Sequence, residues 1–419
     1  MGLLDTLQEI LYSLRQNKLR TFLTGFGVFW GIFMLILLLG AGKGMQNGIE
    51  QGFSSDATNS VWIWGSRTAV PYKGMATGRN IQFNQNDLDA IKNEIPGILY
   101  ISAENPVVST SQANNLVRSK NKAESYGVFG VADNYFKIKK FQEVNFGRKL
   151  NGLDEDGVRK VATIGSAVAK SLFPFQNPVG QAIEVNKISF KVVGVFHDSG
   201  QNGRQSERVY IPMSTYQQTF GRGNNTLNVL TYQPRDGVDP YKTEEQVVAL
   251  LKKRHVVSPD DKSAIRANNI LRQVENVNAL FIAINSFIWF VGIGTLTAGI
   301  VGISNIMMIT VKERTVEIGV RKALGATPLK IVFSLLFESV LVTAIAGYIG
   351  LVFAVGLLEV VNVGLSSAQA NMAYFKQPEV DFDIAVLSIV ILVSVGAFAG
   401  FAPAWRAARI SPVEAMQSE

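Results

Sequence analysis

Val311-Lys-Glu-Arg-Thr-Val-Glu-Ile-Gly-Val-Arg-Lys-Ala-Leu-Gly-Ala-Thr-Pro328 is the stretch on which the reading of this chain turns. It is a charged, helix-forming block between two apolar runs of membrane-spanning length. Glu313 and Glu317 stand early, and Arg321 and Lys322 late, as a helix macrodipole favours. Glu317 and Arg321 form an i,i+4 pair with the acid on the N-terminal side. Gly325 suits the C′ position, and Thr327-Pro328 restarts a helix with Thr as N-cap and Pro at N1. The block reads as a short helix over 312–327 linking two spans by tight turns. A lipid-facing helix cannot carry these charges, so the block lies at a membrane surface and faces something.

Working outward, charged residues make up 17% of the 419 positions, against about 25% in soluble proteins. The apolar residues concentrate in four runs: Thr21–Leu39, Leu280–Val311, Leu329–Leu358 and Ile384–Ala402. Each reaches the roughly 18–20 residues needed to cross about 30 Å of hydrocarbon. These runs define a first span and stalk over 19–48, a stalk and second span over 276–311, a third span over 328–359 and a fourth over 384–403. A short loop, 360–383, and a tail, 404–419, complete this part.

Leu3, Leu4, Leu7, Ile10, Leu11 and Leu14 recur at helical spacing, so residues 1–18 read as an amphipathic helix lying in the interface. Arg15, Lys18 and Arg20 precede span one, Lys312, Arg314, Arg321, Lys322 and Lys330 lie between spans two and three, and Arg406 and Arg409 follow span four. By the positive-inside rule both termini and the 312–327 block are cytoplasmic, and the long region between spans one and two is outside. Small residues recur every four positions at Gly27/Gly31, Gly294/Ala298/Gly302, Ala346/Gly350/Ala354 and Gly396/Gly400, spacing that lets helices approach closely in lipid. Packing within one chain accounts for most of these; self-association accounts for at least one, on span one or two. Glu338 sits in the inner part of span three, near the headgroups, and no polar path crosses the spans.

The external region, 49–275, reads as mixed α and β. Val61–Trp64, Tyr126–Ala132, Val161–Gly165 and Leu227–Tyr232 are strand-like, and Ala182–Val185 and Ile188–Phe196 flank Asn186-Lys187 as a hairpin. Asn86 is expected to cap a helix carrying Leu88, Ile91 and Ile95, and Ala167–Phe173 and Thr243–Arg254 are further helices. Two lobes follow: one from both ends of the region, the other an insertion over about 145–213. Ser66–Gly78 and Asp198–Glu207 read as mobile loops.

The chain has no cysteine, which excludes disulfides, thiolate metal sites and cysteine nucleophiles. Its two histidines, His197 and His255, are far apart and make a poor metal site. Gly40-Ala-Gly-Lys-Gly44 lacks the glycine spacing and hydroxyl of a nucleotide-binding Walker A loop. The chain therefore reads as a non-enzyme that binds no metal or cofactor and no nucleic acid.

Glu313–Thr327 and Pro403–Met416 closely resemble the two cytoplasmic signatures of the FtsX-like permeases, and Asn17-Lys-x-Arg-Thr-x-Leu-Thr24 is similar to that family. Gly147-Arg148, Val161–Gly165, Leu172-Phe173, Pro178-Val-Gly180 and Val192-Val-Gly194-Val195 resemble the MacB-type periplasmic domain. The resemblance implies an α-helical membrane protein with four transmembrane helices and a large mixed α+β periplasmic domain of two lobes between the first two. It implies a bacterial inner-membrane location and a dimer with a second copy or a paralogue. It also implies ABC ATPase subunits docked beneath, which bind ATP and Mg. Expected further partners are a periplasmic adaptor and an outer-membrane channel. The family works by mechanotransmission, in which ATP-driven closure moves the stalk and external domain. The coupling surface toward the ATPase is then Glu313, Arg314, Glu317, Arg321, Lys322 and Gly325. Arg406, Arg409, Ser411, Pro412 and Glu414 are expected as a second cytoplasmic contact, where Ser411-Pro-Val-Glu414 reads as a capping box. MacB itself carries its ATPase domain ahead of this region, so here the ATPase is expected on a separate polypeptide. The leading expectation is the permease subunit of an exporter. Regulation of a periplasmic cell-wall hydrolase and lipoprotein release share the architecture and stay open.

Overall fold

The computed structural model describes residues 18–53, 56–107, 115–120, 122–198, 200–221, 225–367, 375–380 and 382–411. The expected 1–18 helix falls almost entirely outside them, as do Pro412 and Glu414. The longer helices are α1 (Lys18–Phe53), α2 (Gln85–Glu94), α3 (Pro240–Arg254), α4 (Ile270–Glu313), α5 (Thr315–Ala323), α6 (Pro328–Ser367) and α7 (Phe382–Arg409). Among the described residues, four of them, α1, α4, α6 and α7, are long and apolar enough to cross a membrane. The chain divides into two compact units, Ile49–Asn278 and the residues flanking it. Each of α1 and α4 contributes residues to both.

The flanking unit is a helical assembly whose buried residues include Val28, Ile32 and Ile36 of α1, Leu296 and Ile303 of α4, Leu335 and Ala354 of α6, and Val395 and Ala399 of α7. Small residues set its close approaches. A Cβ on Gly396 of α7 would lie 2.2 Å from Thr343 Oγ1 and 2.8 Å from Val340 Cα of α6, so only glycine fits. Ser339 of α6 donates to the Gly396 carbonyl at 2.6 Å. In lipid, where burial of apolar surface drives nothing, such contact and hydrogen bonding hold helices together. Several bounds differ from the sequence expectation. α4 is 44 residues long and begins at Ile270, including the charged Arg272 and Glu275. At 1.5 Å per residue it measures about 66 Å, over twice the bilayer core. α6 continues to Ser367, and α7 continues through Pro403 to Arg409. The segment 375–380 is fastened to α1, with Lys376 N donating to Gly44 O (2.9 Å) and Asn47 Nδ2 to Gln377 O (3.1 Å).

The Ile49–Asn278 unit is built on thirteen described strands: β1 (Val61–Gly65), β2 (Phe83–Asn84), β3 (Ile98–Pro106), β4 (Asn115–Arg118), β5 (Ala123–Val131), β6 (Gln142–Gly147), β7 (Val161–Gly165), β8 (Ala182–Val185), β9 (Ile188–His197), β10 (Arg208–Pro212), β11 (Thr226–Leu227), β12 (Val229–Pro234) and β13 (Ile265–Asn269). Strands pair in the order β10-β7-β9-β8-β4-β5-β3-β12-β1-β13. The β8–β9 hairpin forms at Asn186-Lys187, both with positive φ (48° and 72°), as a type I′ turn requires. One core gathers Val61, Ile63, Ile101, Leu230 and Tyr232 with Leu88 and Ile91 of α2 and Val247 and Leu251 of α3. A second gathers Ile164, Val168, Ile183, Phe190, Val192 and Ile211.

The second core also contains Val117, Tyr126 and Val128, so β4 and β5 join the lobe that the sequence confined to 145–213. The reason is long-range pairing: β5 runs parallel to β10 (Val128↔Val209), which closes the lobe. Tyr135, Phe141, Phe196 and Tyr210 form an aromatic cluster of their own, with Phe141 stacked on Phe196 at 4.5 Å. Beside it Lys139 is buried, paired with Asp56 at 2.6 Å and lying over the Trp62 ring at 4.8 Å. Helix α2 is capped by Asn84, not Asn86. Asn84 and Asp87 form a reciprocal capping box, and Asp87 also receives Arg254 Nε (2.7 Å) and pairs with His255 Nε2 (2.9 Å). The two stretches expected to be mobile are pinned. Asp261 accepts from Ala69 N and Val70 N in the first, and Asp198 accepts from Gly200 N and Gln205 N in the second.

Candidate functional site

Helix α4 ends at Glu313, and the chain re-forms at once as α5. Thr315 stands at the break, its hydroxyl donating back to Lys312 O (2.7 Å) and Val311 O (3.1 Å), a bond that favours a bend. Glu313 is thus the last residue of the long helix, not part of the short one. Arg314 is the junction residue (φ −95°, ψ 15°). The far end of α5 closes with Gly325 at φ +95°, Gly325 N donating to Lys322 O and Ala326 N to Arg321 O. This is a Schellman cap, which only glycine accepts without strain.

Charged side chains wire α5 to its surroundings. Arg321 Nη2 meets Glu317 Oε1 at 2.7 Å, and Arg314 Nε lies 3.3 Å from Glu317 Oε2. The same guanidinium places Nη1 3.5 Å from Glu338 Oε2 on α6. Glu338 is 7% exposed, so this carboxylate is buried against a cation. A buried carboxylate needs such a partner. Lys322 is turned toward α7, where Nζ donates to Ala408 O (2.6 Å) and Ile410 O (2.8 Å). Ile318 and Gly319 form the buried side of α5. Its exposed side carries Val316, Val320 and Leu324, spaced four apart and 49%, 43% and 83% exposed. This apolar ridge beside the Glu317–Arg321 pair was missed in the sequence reading, which followed charge alone; the 316/320/324 spacing was there to be found.

Arg406 and Arg409 are exposed on the last turns of α7, with the Arg409 guanidinium 5.3 Å from the Trp405 ring centre. Ser411 is half-buried beyond the helix end. The small-residue set divides. Gly27 faces Gly299 and Gly31 faces Leu296, inside the unit. A Cβ at Gly294 or Gly302 meets no atom within 4 Å, and Ala298 is exposed. These three form a stripe that no other described residue of this chain covers. Among the described residues no cluster of three metal-ligating side chains occurs. His197 Nδ1 lies 3.0 Å from Ser166 Oγ.

Known proteins resemble this chain in sequence. Residues 21–250 match the MacB-like periplasmic core domain, and 289–412 match the FtsX-like permease C-terminal region. The macrolide export ATP-binding/permease protein MacB of Bdellovibrio bacteriovorus is 28% identical over 421 residues, covering 100% of this chain and 62% of that protein. The protein of the same name from Chlorobaculum tepidum is 30% identical over 420 residues, again covering 100% and 62%. The chain thus spans about three fifths of the length of the relatives it matches. The crystal structure of the periplasmic region of MacB from Actinobacillus actinomycetemcomitans aligns with 55% of this chain and 97% of its own, at 22% identity and a TM-score of 0.43. With four apolar helices and both family regions in sequence, the chain is a multi-pass membrane protein and belongs to the MacB-like, FtsX-like family of ABC transporter permeases.

Proposed function

We propose that this chain is the permease subunit of an ABC-type export complex and works by mechanotransmission. A partner ABC ATPase binds ATP and Mg, docks on α5, and its closure moves α5 with the helices wired to it. The helices α1 and α4, continuous from the membrane unit into the Ile49–Asn278 unit, deliver that motion to the periplasmic domain. In this reading the protein lies in the bacterial inner membrane with both termini cytoplasmic. It pairs with a second copy or a paralogue, and its periplasmic domain engages an adaptor and, through it, an outer-membrane channel.

One observation carries the reading. α5 exposes an apolar ridge flanked by an ion pair, while its other side is fastened to α6 and α7. A helix that only linked two spans would bury its apolar side and expose charge. Exposed Leu324 beside Val320 suits insertion into a groove of a cytoplasmic partner. Leu324→Asp is expected to release the copurifying ATPase. The Glu317→Ala/Arg321→Ala pair is expected to retain the ATPase but lower transport per ATP hydrolysed. Full retention of the ATPase by Leu324→Asp would overturn the docking assignment.

A further inference from the structure

We infer that Lys322 is a latch that fastens the end of α7 to α5, so that movement of α5 enters the membrane through α6 and α7 as one body. This mechanical role rests on the function proposed above; the latch itself does not.

The last carbonyls of a helix have no partner inside it. α7 ends at Arg409, and two carbonyls at that end, Ala408 O and Ile410 O, accept from a single ammonium group, Lys322 Nζ, at 2.6 and 2.8 Å. A cation at a helix C-terminus is also favoured by the macrodipole. The contact is not a loose surface pairing. Ala404 and Ala407, on the last turns of α7, are fully buried in the same cluster as Ile318 of α5 and Ile331 of α6. The opposite end of α5 is held to α6 by Arg314 and the buried Glu338. α6 and α7 are themselves locked together: a Cβ at Gly347 would lie 1.8 Å from Leu392 Cδ2, and one at Gly400 2.7 Å from Ser339 Cβ. So α5 is held at its start by one span and at its end by the other, and those two spans are closely packed and joined by the Ser339–Gly396 hydrogen bond. Lys322 therefore acts inward, as a positioning residue, and the partner-facing surface is the ridge on the other side.

The chain has no cysteine, so paired labels can be placed at will. Spin labels on Ala323→Cys and Ala402→Cys, in the full-length protein in nanodiscs, report the α5–α7 distance. Lys322→Met keeps the side-chain stem and removes the donors; Lys322→Arg restores them. The latch predicts a narrow distance distribution in the parent and in Lys322→Arg, and a broad one in Lys322→Met. In the assembled complex, Lys322→Met is expected to keep the ATPase bound and lower transport per ATP by about tenfold, with Lys322→Arg restoring it. An unchanged distribution in Lys322→Met would overturn the latch. A broadened distribution with normal transport would overturn its mechanical role. If no ATPase copurifies with the parent, the proposed function fails, and the label distances still decide the latch.

Discussion

Glu155 and Asp261 show how two carboxyl groups of the same unit are driven in opposite directions. Burial pushes the Glu155 carboxyl up to about 7, against the pull of the Ser214 and Met213 amides it accepts from, while Asp133 and Asp156 add repulsion. The folded state thus holds a proton that the unfolded chain releases near its ordinary value of 4.5. Stability from this group is full below pH 4.5, falls as pH rises toward 7, and is level above that, by up to about 3 kcal/mol. In Glu155→Gln that slope should vanish, which denaturant melts of the full-length protein at several pH values would reveal. Asp261 is opposed by burial too, but hydrogen bonds from Ser263 and from the Val70 and Ala69 amides hold its carboxyl well below the usual range. Its contribution is present above the unfolded value of 3.8 and is lost as pH falls. Asp261→Asn leaves one oxygen where two carry all these bonds, so the 66–78 segment is released. Tryptic cleavage after Lys73 should quicken about tenfold or more, a rate read on gels. A cleavage rate equal to the parent's would show that the segment is held by something else.

At the scale of elements, the membrane helices separate glycines that are filled from glycines that are open. Gly396 has α6 atoms within 2.2 Å of the Cβ it lacks, whereas Gly302 has none within 4 Å. Gly396→Leu should cost about 1–3 kcal/mol through overpacking and lower the thermal midpoint in detergent. Gly302→Leu should leave the midpoint of the monomer unchanged and, if the second copy packs on the Gly294–Gly302 stripe, reduce the dimer fraction on size exclusion. The four-residue spacing of these positions was legible in the sequence because it is a property of one helix. Which of them are filled was not, because that depends on how helices are turned toward one another. The short helix behaves likewise. Its C-cap was legible from Gly325, a local requirement for positive φ. Its start was misplaced, because α4 runs on through Lys312 and Glu313 and the short helix begins only at Thr315, past the point that charge alone suggested.

At the scale of the whole molecule, two units carry separate cores, and α1 and α4 each run from one unit into the other while packing buried residues into the core of the flanking unit. In the orientation proposed from the positive-inside pattern, Lys73 and Leu324 lie on opposite sides of the membrane. Single cysteines at Lys73 and Ala323 in this cysteine-free chain should therefore react with an impermeant maleimide only from outside and only after permeabilisation, respectively. Equal reaction of both in intact cells would reverse the orientation argument.

What the sequence determined by itself was the class of molecule. Span number, a charged capped helix between spans two and three, and a mixed α and β region between spans one and two follow from hydropathy, helical periodicity and capping chemistry. All of these act over a few turns of chain. What only the tertiary structure decided was who meets whom. Lys322 finds carbonyls 86 and 88 residues away, and Arg314 finds a carboxylate 24 residues on. β5 closes a lobe by pairing with β10. Side-chain direction and strand partnership at such separations depend on packing of the entire chain, so the block that read as one charged surface in sequence resolves into Lys322 facing inward as a latch and an apolar ridge beside the Glu317–Arg321 pair facing out.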